Sequence, residues 1–390
     1  MSHTTVPVSV KLQLWGRAAG RCQYDGCIKP LFLDDVTKIG LNGAYVAHII
    51  ADSLGGPRGD PVLSEQLKSD ISNLMLLCDV HHRLIDKVDD AGHPVERLRA
   101  MKRQHEDRIE VATAVGPEKR SHVLLYGANV GQHASAVSFA KAALAMGPAW
   151  YPAEARALEL GMRNSAAVDH DPEFWRGEEQ QLVRQFNAKV RPLLQSGESA
   201  HLSIFALAPQ PLLVLLGYML SDIPAAEVYQ PHREPPDWKW REQPAANDAV
   251  YDVVPPASDG KSVVLVLSLS ASIARSRVSS VLGEDVAIWE VTTPRPHNDF
   301  LKSRRELEAF RGVARPLLEA IKQRHPSMRL LHVFPAAPSA IAVELGRVLM
   351  PKAHAPLRLY DENHRLGGFA HALDIGVDEH AAEASDGPGA

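Results

Sequence analysis

Apolar positions along the chain fall into two regimes. Up to about residue 115 they form short, interrupted stretches. Leu12, Trp15 and Ala19 recur at helical spacing and predict a short helix over Val10–Ala19. A short apolar strand closes at Ala47-His48-Ile49, and the run Leu74-Met75-Leu76-Leu77 predicts another. Between them lies the Gly/Pro loop Asp52–Asp60, with Arg58 as its one arginine; a solvated loop arginine or a phosphate contact both fit. Leu98, Met101, His105 and Ile109 predict a helix from Pro94 to Val115, with proline suited to the first turn. Gly116-Pro117-Glu118-Lys119-Arg120 reads as a linker.

Beyond the linker the pattern becomes α/β. Val123-Leu124-Leu125-Tyr126 is a buried strand, followed by the loop Gly127–Gly131 and a helix carrying Val137, Ala140 and Leu144. An internal repeat is the stronger signal. Ile204–Pro209, Leu216-Gly217, Val228-Tyr229 and His232-Arg233 recur as Val333–Pro338, Leu345-Gly346, Leu359-Tyr360 and His364-Arg365. The opening strand recurs as Val263–Leu269 before Ser270-Ala271-Ser272. An offset this long excludes a solenoid and predicts two copies of one α/β unit, over 121–255 and 256–378. The tail 379–390, small and acidic, reads as disordered.

A length of 390 residues predicts two or three domains, and 45% hydrophobic residues is a globular composition. No apolar run reaches 18 residues, so no membrane span is expected. The start Met1-Ser2-His3-Thr4-Thr5 has no signal-peptide pattern, which predicts a cytoplasmic protein. The net charge is -5, and residues 1–120 hold 16 basic and 16 acidic side chains. Contact with nucleic acid would therefore rest on local patches. Arg97, Arg99, Lys102 and Arg103 could follow a DNA backbone, but a solvated helix face is the default reading.

Three residues carry candidate chemistry. His48 at a strand end can act as a general base, and Asn73 before the second apolar run can orient it. His82 at a helix start can hold a hard divalent cation against a phosphate. All three cysteines, Cys22, Cys27 and Cys78, flank this region, and Cys78-x2-His81 completes a set suited to a closed tetrahedral zinc site. Buried structural thiols are the alternative.

This stretch, over roughly residues 15–90, resembles an HNH endonuclease of the AHI…N…HH type. The resemblance implies His48 as general base, Asn73 as orienting residue and His82 as ligand of a catalytic Mg²⁺ or other divalent ion. Structural Zn²⁺ would sit on Cys22, Cys27, Cys78 and His81. Many HNH sites carry an acidic ligand directly before the first histidine; here that residue is Ala47, and Asp86, one turn after His82, is expected to replace it.

Residues 121–376 resemble the SAVED domain, itself similar to two fused CARF-like units that sense cyclic oligonucleotides. The expected fold is thus a zinc-stapled α+β HNH domain over 1–115, followed by an α/β, Rossmann-like SAVED domain. In open α/β sheets, ligands sit beyond the carboxyl ends of strands, near helix N-termini. The expected ligand residues are Tyr126, Gln132, Pro209, Arg233, Trp238, Trp240, Ser270, Pro338, Lys352 and Tyr360. Together the two resemblances imply a CBASS anti-phage effector: a largely non-specific nuclease for double-stranded DNA, switched on when a cyclic di- or oligonucleotide drives assembly of dimers or tetramers. A restriction-type enzyme that reads modified DNA, and a zinc module that only docks the sensor on DNA, are the other readings.

Overall fold

A computed structural model describes residues 4–34, 36–114, 116–129, 137–161, 168–169, 171–196, 201–241, 251–351, 353–363 and 365–377. The chain divides into two units, Met1–Pro117 and Glu118–Ala390.

In the first unit α1 (Val8–Arg17) precedes a long irregular segment. Then come β1 (Ala44–His48), α2 (Leu63–Leu67), β2 (Leu74–Cys78), α3 (Asp79–Arg83) and α4 (Val95–Thr113). The face of α1 differs from expectation: Leu14 and Ala18 are buried and Leu12 is exposed. Leu14 and Ala18, with Val10, repeat every four residues and form their own stripe on the core. In α4, Leu98, Met101 and His105 face inward as expected. Lys102 does not follow a solvated basic face; it is buried and paired with Glu106. The strands form one antiparallel pair, with His48 opposite Leu74 and Ala44 opposite Cys78. All of β2 is buried. A two-stranded ribbon is marginal alone, and the polar network around it is correspondingly dense. Gln23 accepts from Leu76 N–H at 2.8 Å and donates to Glu106 at 3.1 Å.

The second unit opens with β3 (Arg120–Gly127), α5 (Phe139–Met146), β4 (Tyr151–Pro152), β5 (Leu158–Leu160), α6 (Pro172–Gln185) and α7 (Arg191–Ser196). It continues with β6 (Leu202–Leu207), α8 (Gln210–Leu220) and β7 (Ala226–Tyr229). These strands build a parallel sheet, β4-β3-β6-β7, with β5 also on β3. On α5 the buried residues are Ala142, Ala145 and Met146, whereas Leu144 is exposed. A second sheet follows the same plan: β8 (Asp252–Val254), β9 (Ser262–Ser268), α9 (Arg275–Leu282), β10 (Val286–Thr292), α10 (Arg304–Arg324), β11 (Leu331–Ala336), α11 (Ser339–Arg347), β12 (Leu357–Asn363) and β13 (Gly368–Ile375). Its order is β13-β12-β11-β9-β10-β8. Because β8 pairs with β10, residues 252–254 belong to the second copy, a few residues before the expected start at 256.

The repeated Leu-Gly pairs have a packing cause. Helices α8 and α11, equivalent in the two copies, meet backbone to backbone at Gly217 and Gly346. A Cβ on Gly217 would stand 1.9 Å from Val343 O, and one on Gly346 2.0 Å from Val214 O. Only glycine permits that approach. Arg347, buried, donates to Ser221 O at 3.1 Å and Pro224 O at 3.0 Å, beyond the end of α8. No helix among the described residues is long and apolar enough to cross a membrane.

Candidate functional site

Strand β1 delivers His48 to the end of the ribbon with its side chain mostly buried. Its Nε2–H donates to Lys68 O at 2.9 Å, which leaves Nδ1 as the acceptor nitrogen. A buried imidazole with one nitrogen fixed and the other open is the form a general base requires. Asn73 is fully buried but does not bond the imidazole, contrary to the role expected for it. Its Oδ1 accepts from Ile50 N–H at 2.8 Å, and its Nδ2 donates to Ile50 O at 2.8 Å and Leu67 O at 3.3 Å. Asn73 thus fixes the backbone just after His48, and the Lys68 carbonyl holds the ring. Asn73 can reach Ile50 because its own carbonyl accepts from Ile49 N–H, extending the ribbon by one step.

After β2 the chain turns into α3, whose helix returns along the ribbon. His82 stacks on Tyr45 of β1, ring centroids 4.7 Å apart. A wider π-type turn, Leu84–Val88, then places Asp86 Oδ2 3.3 Å from His82 Nε2. π-type turns are frequent at functional sites. Two donors of one octahedral or tetrahedral ion stand roughly 3 Å apart, given metal–ligand bonds of about 2.1 Å, so the pair fits one coordination shell. Burial depresses the His82 pKa, while Asp86 and Asp79 pull it upward; the net direction favours the neutral, ligating ring. Ala47, buried on β1, offers no donor.

Arg58 is not a solvated loop residue. Its side chain is 7% exposed and lies between the two halves of the site. It donates through Nε to Ile49 O at 2.7 Å, through Nη1 to Ile85 O at 2.8 Å and Asp90 Oδ1 at 2.7 Å, and through Nη2 to Asp86 Oδ1 at 2.6 Å. Spacing in the sequence gave no sign of these partners.

Cys22, Cys27, Cys78 and His81 bring one donor atom each within 4.8 Å of one another, the one such cluster of three or more among the described residues. His81 Nδ1 is 3.3 Å from Cys78 Sγ and 3.5 Å from Cys22 Sγ. Zinc bonds of about 2.3 Å to sulfur and 2.0 Å to nitrogen give tetrahedral edges of about 3.5 Å, so the cluster has the size of one ion. Burial pushes the Cys22 thiol up to about 12, and a bound cation supplies the charge that holds such a sulfur as thiolate. His81 stacks on Tyr24 at 4.1 Å, and Tyr24 O–H donates to His93 Nε2 at 2.9 Å. Adjacent histidines therefore serve different clusters: His81 faces the sulfurs, His82 faces Asp86.

Among the described residues of the second unit, the expected ligand residues do not gather into one cleft. Tyr126 is buried in the main core. Tyr360 belongs to a separate cluster on the other face of the second sheet, stacked 4.3 Å from Phe334 and bonded to His332 at 2.8 Å. Trp238 packs edge-on against Phe205 and Trp240 lies over Tyr229, so both are buried packing residues and not free stacking surfaces. Alternation across a strand cannot separate a pocket aromatic from a core one. Arg233 is exposed and donates its backbone N–H to Asp299 at 3.5 Å. Ser270, half-buried, donates its backbone N–H to Ala336 O at 2.6 Å. Gln132, Lys352 and His364 lie outside the described residues, as does the tail from 378 onward.

Pro209 and Pro338 do stand at strand-to-helix junctions, as the N-caps of α8 and α11. At the start of α11, however, first-copy glutamines take two backbone donors: Gln210 accepts from Ala337 N–H, just before the N-cap, at 2.9 Å and Gln230 from Ala340 N–H in the first turn at 3.0 Å. Both cross-copy bonds escaped the sequence reading, since nothing local distinguishes these glutamines.

Solved structures similar to the chain include the Acinetobacter baumannii Cap4 SAVED/CARF-domain containing receptor with the cyclic trinucleotide 2'3'3'-cAAA, at 14% identity and a TM-score of 0.43, covering 80% of this chain and 61% of that one. The same receptor with 3'3'3'-cAAA is similar at 15% identity and a TM-score of 0.42, covering 73% and 60%. The Moraxella osloensis Cap4 receptor follows at 13% and 0.39, covering 72% and 60%. This chain thus spans about three fifths of the length of these receptors. No curated protein matches it. Residues 182–375, from α6 to β13, match the family model of SAVED, the SMODS-associated and fused to various effectors sensor domain.

Proposed function

We propose that this protein is a metal-dependent endonuclease for double-stranded DNA, kept inactive until its SAVED domain binds a cyclic oligonucleotide. The single observation that carries the nuclease half is the ribbon–helix unit. Between Cys22 and Asp86 the chain carries a tautomer-fixed His48, a His82–Asp86 pair and a separate three-cysteine, one-histidine cluster. The sensor half rests on the SAVED match and on Cap4 receptors having been seen with cyclic trinucleotides.

In this reading His48 Nδ1 takes the proton of the attacking water while Lys68 O holds the ring through Nε2–H. Asn73 keeps the strand end from shifting during that transfer. His82 and Asp86 would hold Mg²⁺ or another hard divalent ion, which when bound supplies Lewis-acid stabilisation of the phosphate. Cys22, Cys27, Cys78 and His81 would hold Zn²⁺ as a structural staple. Gating requires that the ligand bind the active assembly more tightly than the inactive one. An anti-phage effector role, a bacterial cytoplasmic setting and activation by assembly belong to the same proposal.

The test is to incubate the full chain with plasmid DNA, Mg²⁺ and a panel of cyclic di- and trinucleotides. Cleavage with one class of ligand and none without it is expected. Full cleavage with Mg²⁺ alone would remove the gating, and cleavage that depends on base modification and ignores every cyclic nucleotide would replace the sensor reading.

A further inference from the structure

Arg58 is buried and held by partners within its own unit. Its backbone is left-handed at φ 57, a conformation uncommon for a side chain of its size. The loop that carries it is tight: a Cβ on the next residue, Gly59, would stand 2.5 Å from Leu54 O. The chain adopts this turn and delivers a guanidinium with four of its N–H bonds engaged. Those partners come from two places. Ile49 O directly follows the proposed base, His48. Ile85 O and Asp86 belong to the turn that follows His82.

Resting on the nuclease reading above, we infer that Arg58 is a positioning residue that locks the general-base strand to the metal-binding turn. It fixes Asp86 by its Oδ1, so that Oδ2 is the oxygen turned toward His82 Nε2. Carboxylate ligands are oriented by such outer partners, whose loss typically weakens metal affinity 10–100-fold. The planar fork matters as well as the charge. One guanidinium reaches two backbone carbonyls and two carboxylates, and a lysine ammonium on a single stem cannot span all four. Asp90, half-exposed, shares the guanidinium but has no contact with His82; it serves as the internal control.

The experiment measures Mn²⁺ binding to the full-length chain by electron paramagnetic resonance, alongside the Mn²⁺ dependence of plasmid cleavage with an activating cyclic nucleotide. Arg58→Lys and Arg58→Gln are compared with Asp90→Asn and His82→Ala. Zinc content and circular dichroism are followed throughout. Both Arg58 variants are expected to bind Mn²⁺ about tenfold or more weakly, with the Mn²⁺ needed for half-maximal cleavage rising in parallel. Asp90→Asn should stay within about threefold of wild type. Wild-type Mn²⁺ affinity in folded Arg58→Lys, with wild-type binding abolished by His82→Ala, would overturn the positioning role alone. A loss of thermal stability without a shift in Mn²⁺ affinity would do the same, as would failure of both Arg58 variants to fold, since Arg58 would then be a determinant of the fold. Mn²⁺ binding that His82→Ala leaves unchanged would overturn the metal reading and this inference together.

Discussion

The two units hold themselves together by different physics. The second buries long apolar strands and helices in an extended cluster and a smaller one on the other face of its second sheet, and its repeated helices touch at bare glycine backbone. The first has a two-stranded ribbon and a much smaller core, so its ribbon is tied by buried polar groups: Asn73 to Ile50, Gln23 to Leu76, Arg58 to four acceptors, and the sulfur cluster. Small cores need such staples. The contrast teaches where chemistry can be hosted. A unit stabilised by fixed polar contacts already has directed nitrogens and oxygens to offer at its surface.

The sharpest way to break this comparison is to remove the staple. A strong chelator, or Cys78→Ser, is expected to release one zinc per chain and to abolish the unfolding transition of the first unit in calorimetry. The second unit's transition should stay in place. Classical structural zinc sites contribute folding free energy on the order of 10 kcal/mol or more, so a first unit that melts unchanged without metal would mean the cluster is merely a set of buried thiols.

Next in size is the base. His48→Ala should lower plasmid cleavage by roughly 10²–10⁴-fold while leaving zinc content and circular dichroism intact. Unchanged cleavage would sink the nuclease mechanism as derived. In the second unit, Gly346→Ala should destabilise that unit by at least about 1–3 kcal/mol, read as a lowered calorimetric transition with the zinc content unaffected. A neutral result would mean that α8 and α11 do not meet as closely as the structure has them.

A further effect concerns acid. His201 is buried against Trp150, ring centroids 3.6 Å apart, and bonded to Ser121 Oγ at 2.8 Å; burial lowers its pKa from 6.5 to about 4. Below pH 6.5 the unfolded chain takes up a proton that the folded ring refuses. Stability of the second unit should therefore fall from about pH 6.5 to about 4, and this contribution should level off below that. His201→Gln should flatten the curve over that window; an unaltered slope would assign the acid sensitivity to other groups.

Some of this was legible in the residues alone. The Leu-Gly and Ala-Pro repeats pointed to a duplicated α/β unit, and the structure has two sheets built on one plan. The three cysteines with His81 do converge. Other assignments failed for identifiable reasons. Leu12 and Leu144 recur at helical spacing yet lie outside, because that spacing offers more than one apolar stripe and packing chose another. Trp238, Trp240 and Tyr360 looked like ligand surfaces because aromatic residues near strand ends are chemically equal to core ones until their neighbours are known.

The sequence by itself determined the elements whose cause is local or periodic: apolar runs that must be buried, glycines and prolines that bend or end segments, and sulfur and imidazole at ligand spacing. Only the tertiary structure decided which distant groups share a side chain. Arg58 on Ile49, Ile85, Asp86 and Asp90, Lys68 O on His48, and Gln210 and Gln230 on the start of α11 are all such cases. Hydrogen bonds are short and directional, so their partners are set by where the chain returns in space, and residue spacing carries no record of that return.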